Sequence, residues 1–563
     1  MTALVLALLA PSASAEPVVN GVQAQIHPAG LRFLSDELSG STWSIAPEGG
    51  VTFDWSCYDL TIEDLDLDLV FGPVSMVAET NRLVLDAQVV SAVGTDMFLD
   101  GFATGGACFD FGTGIEEIAV RDMSVTGELF PRIVDDDTLA LTFLDPLQID
   151  ADTTIDLTAI PDLVEDGLLL FLEDALLNFA ENELQEQLPG LLASLTVDGF
   201  LYQSEFAGFS FGVTPSAVTS SDEGLYAAAT VDLGGDGGPG RIVDLGPRNG
   251  SHFAVGLTEA MVEEVAVAAF DQGLIQPDSE ATSGLFQELL AGLGLEGDLT
   301  VKLGTNVAPE VRIAAGGMAV ALPATALTVT DASGQVLLDL DVDLDGLLEL
   351  RVDAGALRLT AHELVAEVTR LEASRLLEEG PENLEGFLES WAIKAAATAL
   401  DDLEIYRSHF EALGYVLRVD ESAFEDQAVL AWATLFAADD PRVDRVPPDT
   451  KGEVRLEGNV LKATFWGTDD REGPLVYSYR VNGGSWSTWS SDTDAEVVAS
   501  AGDNRFEVKA RDQWFNEDPT PAGGTVTVVA QSRRCGCSGT ESPGLAAAWL
   551  GGLLLLLGRR RQR

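Results

Sequence analysis

Basic side chains are scarce: 31 Lys and Arg stand against 92 Asp and Glu, a net charge of −61 at pH 7. That argues against a nucleic-acid partner, because phosphate binding needs clustered Lys and Arg. It also argues against docking on anionic lipid heads through a polybasic patch. A surface so acidic serves solubility, including in a salty environment. Histidine is rarer still, with 4 in 563 residues, and His27, His252, His362 and His409 each stand alone. A zinc site would need clustered His or Cys, so no metal is expected. Nor is any cofactor or catalytic residue expected.

Three short motifs imitate chemistry and lack its context. Gly208-Phe209-Ser210-Phe211-Gly212 fits G-x-S-x-G, but a nucleophile elbow must open a helix, and Pro215 follows instead. Gly292 to Gly297 fits G-x-G-x-x-G, yet it follows a helical pattern and precedes a strand pattern, the reverse of a dinucleotide site. Asp341-Val342-Asp343-Leu344-Asp345-Gly346 starts like a calcium loop, but its twelfth position is Val352, where a bidentate carboxylate is required. The alternation of Leu338, Leu340, Val342 and Leu344 makes that stretch a strand with outward aspartates.

Both ends of the chain carry sorting signals. Residues 1–15 form a short apolar run closing on Ala13-Ser14-Ala15, which reads as a secretory signal peptide cleaved before Glu16. At the other end, Cys535-Gly536-Cys537-Ser538 precedes an apolar run from Leu545 to Leu557 and then Arg559, Arg560, Arg561 and Arg563. About 13 residues at ~1.5 Å each give roughly 20 Å, short of the ~30 Å hydrocarbon core. Cysteine, small-residue spacer, short apolar helix and terminal Arg cluster together resemble the myxobacterial C-terminal sorting tail (MYXO-CTERM). The resemblance implies sorting or anchoring at Cys535 and Cys537, with export to the cell surface or outer membrane. Cys57 and Cys108 are the cysteines of the body, and in an exported chain they read as a disulfide across a loop of roughly 50 residues.

Ser251 to Ile275 holds a change of period. Phe253, Val255 and Leu257 alternate as in a strand; from Thr258 onward Met261, Val262, Val265, Ala268 and Ala269 fall three or four apart, with Glu263 and Glu264 outside the stripe. Thr258 reads as the N-cap, Glu259 suits the positive end of the dipole, and Gly273 can close the helix. The start of the chain has the same design: Val22, Ala24 and Ile26 alternate, Pro28 enters a first turn, and Leu31, Leu34 and Leu38 form a stripe. Each opening is followed by alternating runs and then one long helix. The first runs from Pro161 to about Leu188, with Leu168, Leu172 and Phe179 near one face; the second runs from Asn383 to about Leu403, with Leu384, Phe387 and Trp391.

This layout resembles the bactericidal/permeability-increasing and lipopolysaccharide-binding protein family, the tubular lipid-binding (TULIP) fold. The most specific matches are Gly21 to Gly40 and His252 to Ile275. The resemblance implies an α+β fold: two pseudo-repeated, elongated domains, each a curved antiparallel sheet around a long helix. It places them at residues 16–200 and 251–440, with a central sheet and connector at 201–250. The namesake family's lysine-rich tip is not visible here.

After a linker at 441–450, marked by Pro447-Pro448, residues 451–530 change character. Trp466, Tyr477, Tyr479, Trp486, Trp489 and Trp514 crowd together, and Asn482-Gly483 is a hairpin turn. The stretch is similar to fibronectin III or Ig-like modules, an all-β sandwich whose aromatics serve as core and hairpin pairs, with a carbohydrate platform as the other reading. Residues 531–563 are the tail.

The reading that results is a non-catalytic, surface-displayed lipid-binding protein. Its partner is a phospholipid or other amphipathic lipid, and its tail meets the membrane. Lining positions are Leu168, Leu172, Phe179, Leu257, Val262 and Val265. The alternative is a structural or adhesive surface protein with a filled interior. A hydrolase using Ser210 is a third. Nothing in the sequence fixes an oligomeric state.

Overall fold

A computed structural model describes residues 17–45, 51–157, 205–271, 293 and 299–528, less 56–57, 64, 105–109, 135–137, 146–147, 207–208, 211, 234–237, 306, 315, 332, 373–383, 401–402, 413–414 and 426. The leader, the helix expected at 161–188, all four cysteines and the C-terminal tail lie outside these residues. Among the described residues no helix is long and apolar enough to cross a membrane, which says nothing of strand-built spans.

Strand β1 (Val18–Ile26) runs into helix α1 (Pro28–Leu38). His27 is extended at the N-cap and Pro28 occupies the first turn, where its missing N–H costs nothing. Leu31 and Leu34 are buried on the expected stripe. The chain leaves the helix through Gly40, whose φ of 83° is cheap only for glycine.

Next comes an antiparallel sheet of β2 (Thr42–Ile45), β3 (Val51–Trp55), β4 (Tyr58–Glu63), β5 (Leu67–Glu79), β6 (Arg82–Ala103), β7 (Phe111–Val134), β8 (Thr138–Phe143) and β9 (Gln148–Leu157). Strand β4 pairs with the far half of β6 and β5 with its near half. Register shifts at Phe71/Val74 and Arg121/Ser124 are bulges, and bulges bend and twist strands until a sheet curls. The long strands β6 and β7 have 22 and 24 residues, so at ~3.3 Å per residue the wall of β6 is roughly 70 Å long.

A short hairpin, β10 (Glu205–Phe206) and β11 (Phe209–Ser210), precedes β12 (Gly212–Ser221) and β13 (Gly224–Asp232). Strand β14 (Phe253–Thr258) then opens helix α2 (Glu259–Asp271). The helix begins where the period changes, but Thr258 does not cap it: its hydroxyl donates to the Gly21 carbonyl of β1. Glu264, expected outside the apolar stripe, is buried, whereas Glu263 is exposed.

The second curved sheet contains β15 (Leu299–Thr305), β16 (Glu310–Ala314), β17 (Gly317–Asp331), β18 (Val336–Asp353) and β19 (Ala356–Glu372). Helix α3 (Leu384–Leu400) packs on β18 and β19, and β20 (Leu403–Arg407) completes the sheet. The chain then returns through β21 (His409–Ala412), β22 (Tyr415–Glu425) and β23 (Ala428–Ala437).

These last strands join the openings in one seven-stranded sheet, ordered β12-β13-β1-β14-β23-β22-β21. The central sheet thus draws on strands well beyond 201–250. Its two middle strands are the openings themselves, paired antiparallel with Ala24 opposite Val255. One face, with Ala24, Ile26 and Phe253, joins α1 and the first curved sheet in the largest core. The other face is covered by a strap from 238 to 250, whose Val243 and Leu245 pack on Ala254, Leu430 and Trp432. Gln23 pins the strap, accepting from the Val243 N–H and the Tyr226 hydroxyl while donating to the Arg241 carbonyl.

The described residues end in two facing three-stranded sheets. One has β24 (Asp449–Glu457), β25 (Val460–Thr468) and β27 (Asp494–Val498); the other has β26 (Val476–Val481), β28 (Gly502–Arg511) and β29 (Ala522–Val528). Phe465, Tyr477, Phe506 and Val508 fill the space between them. Most of the described residues are in strands, with three helices among them.

Candidate functional site: two apolar sheet faces

The inner face of the first curved sheet is a regular apolar surface. Ile62 sits opposite Leu99, Leu99 opposite Thr113, and Met97 opposite Ile115. Leu60, Ile62, Met97, Leu99, Ile115 and Ala119 are all at most 2% exposed. The period of two puts Asp59, Asp100 and Glu63 on the outer face of the same strands.

The second sheet repeats the pattern. Leu303, Leu327, Leu340 and Leu371 form one row across four strands, and Val342 faces Val368. Helix α3 lies over these rows with Leu384 and Leu388 buried and with Phe387, Trp391 and Ile393 partly buried. Its opposite side carries Glu385, Ser390 and Lys394, all exposed. Its Glu389 also accepts from the Val368 N–H at 3.4 Å, satisfying a donor on a stretch of β19 beyond its pairing with β20. In the same way Ser35 and Ser39 of α1 accept from the N–H groups of Met76 and Val74 at the β5 bulge. Glu259 of α2 takes the Ile313 N–H.

Outside, β18 carries the aspartates of the false calcium loop. Arg370 binds both Asp339 and Asp341, and Asp343 accepts from the Ala324 N–H, so the aspartates belong to a strand's outer face. Ser210 lies in β11, paired with Glu205, and opens no helix. His27 is buried, with Nε2 2.7 Å from the Leu245 carbonyl and Nδ1 2.9 Å from the Ser251 hydroxyl. His252 Nδ1 accepts from the Leu435 N–H, and burial together with the charge of Arg442 lowers its pKa. Both histidines are ties between strands. Burial pushes the Tyr226 phenol up to about 12.

Of the expected lining residues, Leu257, Val262 and Val265 are half-buried. Leu257 pairs with Val22 and Val429 on the central sheet; Val265 packs beside Val18, Val231 and Met261 at the base of α2. Leu168, Leu172 and Phe179 lie outside the described residues. The sequence reading missed the rows Ile62–Leu99–Thr113 and Leu303–Leu371. Their signal was the alternation of β4, β6 and β18, but register across strands is not written in any one of them.

Among the described residues one carboxylate group is close enough to hold a cation, Asp444, Asp469 and Asp470, with ligand oxygens within 4.8 Å of one another. Arg471 already faces Asp444 at 3.6 Å.

The sandwich aromatics are arranged otherwise than a sugar platform requires. Asn482 and Gly483 make the turn with φ of 55° and 71°, as an Asn-Gly hairpin should. The return arm is no regular strand: Ser487 and Ser490 pair with Tyr479 and Tyr477 and leave Trp486 and Trp489 outside. Arg480 and Lys509 then lie over the Trp486 ring, and Lys509 and Arg511 over the Trp489 ring, at 4.3 to 5.0 Å. These rings already have cation partners.

No known family profile matches the chain, and no curated protein matches it. Among solved structures, a lipopolysaccharide binding protein aligns over 76% of this chain and 100% of its own, at 12% identity and a TM-score of 0.37. The extracellular domain of the hybrid two-component system BT4673 from B. thetaiotaomicron aligns over 84% of this chain and 79% of its own, at 7% identity and a TM-score of 0.13.

Proposed function

We propose that this chain binds lipid, holding the acyl chains of a phospholipid or similar amphipathic lipid against the apolar inner faces of its curved sheets. The observation that carries this reading is the pair of apolar surfaces, each built from long strands whose outer faces are acidic. Hydrocarbon needs no polar recognition: at ~0.8 kcal/mol per buried CH₂, eight carbons supply roughly 6 kcal/mol before ordering costs. The net charge of −61 favours a zwitterionic or neutral head over an anionic one. Leu168, Leu172 and Phe179, with Leu257, Val262 and Val265, remain the lining residues in this proposal. So do the BPI/LBP-like (TULIP) identity, the fibronectin III-like character of the sandwich, and display at the cell surface through a cleaved leader and the Cys535/Cys537 tail.

A filled, structural interior is the second reading, favoured by the near-zero exposure of Leu60, Ile62 and Leu99. Titrating delipidated full-length protein with a fluorescent fatty acid and with a fluorescent zwitterionic phospholipid separates the two. Saturable uptake supports the carrier. Absence of uptake at any salt concentration, with native circular dichroism, supports the filled interior.

A further inference from the structure

The C-terminal sandwich meets the body through a built joint. Residues 441–450 read as a linker, yet Val443, Asp444 and Thr450 are buried. Trp514 enters a cluster with Val416, Phe436 and Val443, its ring edge-on to Phe436 at 5.7 Å. Arg418 lies over both rings, at 5.0 Å from Phe436 and 5.3 Å from Trp514.

The loop carrying Trp514 is pre-shaped. Asp512 accepts from the N–H groups of Trp514 and Asn516, and the Asn516 amide reaches on to the Asp444 carbonyl at 3.0 Å. The next residue before Trp514 touches the body as well. The turn between β18 and β19 passes through Gly355 at φ +77°, and a Cβ there would stand 1.9 Å from the Gln513 carbonyl oxygen. Three residues on, Arg358 is 1% exposed and donates to the Trp489 carbonyl.

Trp489 belongs to the alternating stack Arg480, Trp486, Lys509, Trp489, Arg511, Phe515, whose last member adjoins Trp514. The stack therefore runs from the hairpin at Asn482-Gly483 to the joint. Charge and ring attract each other at every step along it. On the body side, Val352 and Leu357 flank the same turn and pack on the main core.

We propose that the sandwich is a brace for the second curved sheet: seated by Trp514 on β22 and β23, it holds the turn of the β18–β19 hairpin through Gln513 and the Trp489 carbonyl, so that sandwich and hairpin open as one cooperative unit. This stands independently of the lipid reading. It gives the sandwich a mechanical task and accounts for Trp514, Gly355 and the buried Arg358 meeting at one place.

The test is native-state hydrogen exchange on the full chain and on Trp514→Ala, Arg358→Met and, as a control, Trp466→Ala, an exposed tryptophan of β25 outside the joint. In the unaltered chain, the amides of Leu350–Leu359 and of β28 are expected to share one opening equilibrium. Trp514→Ala is expected to speed exchange at Leu350–Leu359 by at least about tenfold, with Arg358→Met acting on the same segment more weakly and Trp466→Ala leaving it unchanged. Should Trp514→Ala fail to fold, the Arg358→Met result decides. Unchanged protection at Leu350–Leu359 in the joint variants, or separate opening of sandwich and hairpin in the unaltered chain, overturns the proposal.

Discussion

The backbone N–H of His27 donates to the carbonyl of His252 at 3.0 Å, joining the two strand-to-helix openings where β1 ends and β14 begins. The contact is so close that Gly30, one turn into α1, lies over the same carbonyl. A Cβ at Gly30 would stand 2.3 Å from the His252 oxygen. Gly30→Ala, otherwise favourable in a helix, is therefore expected to destabilise by about 1–3 kcal/mol through overpacking, read as a lower urea midpoint. An unchanged or raised midpoint would mean the helix can shift freely off β14.

His252 gives the central sheet a pH dependence. Its pKa lies below the ordinary 6.5, through burial first and the Arg442 charge second. As pH falls below 6.5 the unfolded chain takes up this proton before the folded one, so the stability is present above that pH and lost on acidification. His252→Gln can still accept from the Leu435 N–H. It is expected to lose less stability than the native chain between pH 7.5 and 5.5, measured by denaturant midpoint.

Asp469 has the opposite sign. Burial, then the carboxylates of Asp444 and Asp512, push it up to about 6. Above that pH the folded state carries an unfavourable charge; as pH falls through about 6 the folded state binds a proton the unfolded state does not, and the penalty disappears. Asp469→Asn should raise stability at pH 7.5 by roughly 1–2 kcal/mol, allowing for solvent screening, and by less at pH 5. Paired thermal melts at the two pH values check it.

The strands flanking the body cysteines converge. Tyr58 pairs with Ala103, and Gly101 pairs with Phe111, so the residues just after Cys57 and on either side of Cys108 share one end of the first sheet. A Cys57–Cys108 disulfide is expected, visible as a linked peptide in a non-reducing digest. Its removal by Cys57→Ser should cost about 2–4 kcal/mol. Two free thiols in the purified protein would refute it.

What the sequence made legible follows from which forces are local. The switch from Phe253-Val255-Leu257 alternation to the Met261-Val265 stripe marks the start of α2, and the Leu384 helix stands at Leu384–Leu400. Asn482-Gly483 turns as read, because the tolerance of Asn and Gly for positive φ needs no distant contact. Pairing of the two openings, Ala24 to Val255, was not legible, since register over some 230 residues leaves no local trace. Glu264 misled for a related reason: its burial depends on what α2 packs against. The linker misled because Val443 and Asp444 are buried by residues such as Trp514, far along the chain.

The lipid claim is most directly tested by native mass spectrometry of the full chain purified without detergent or organic solvent. The account predicts added mass that extraction identifies as phospholipid or a similar amphipathic lipid, lost on delipidation and restored on incubation with zwitterionic vesicles. A folded protein at its bare polypeptide mass, before and after such incubation, would contradict it.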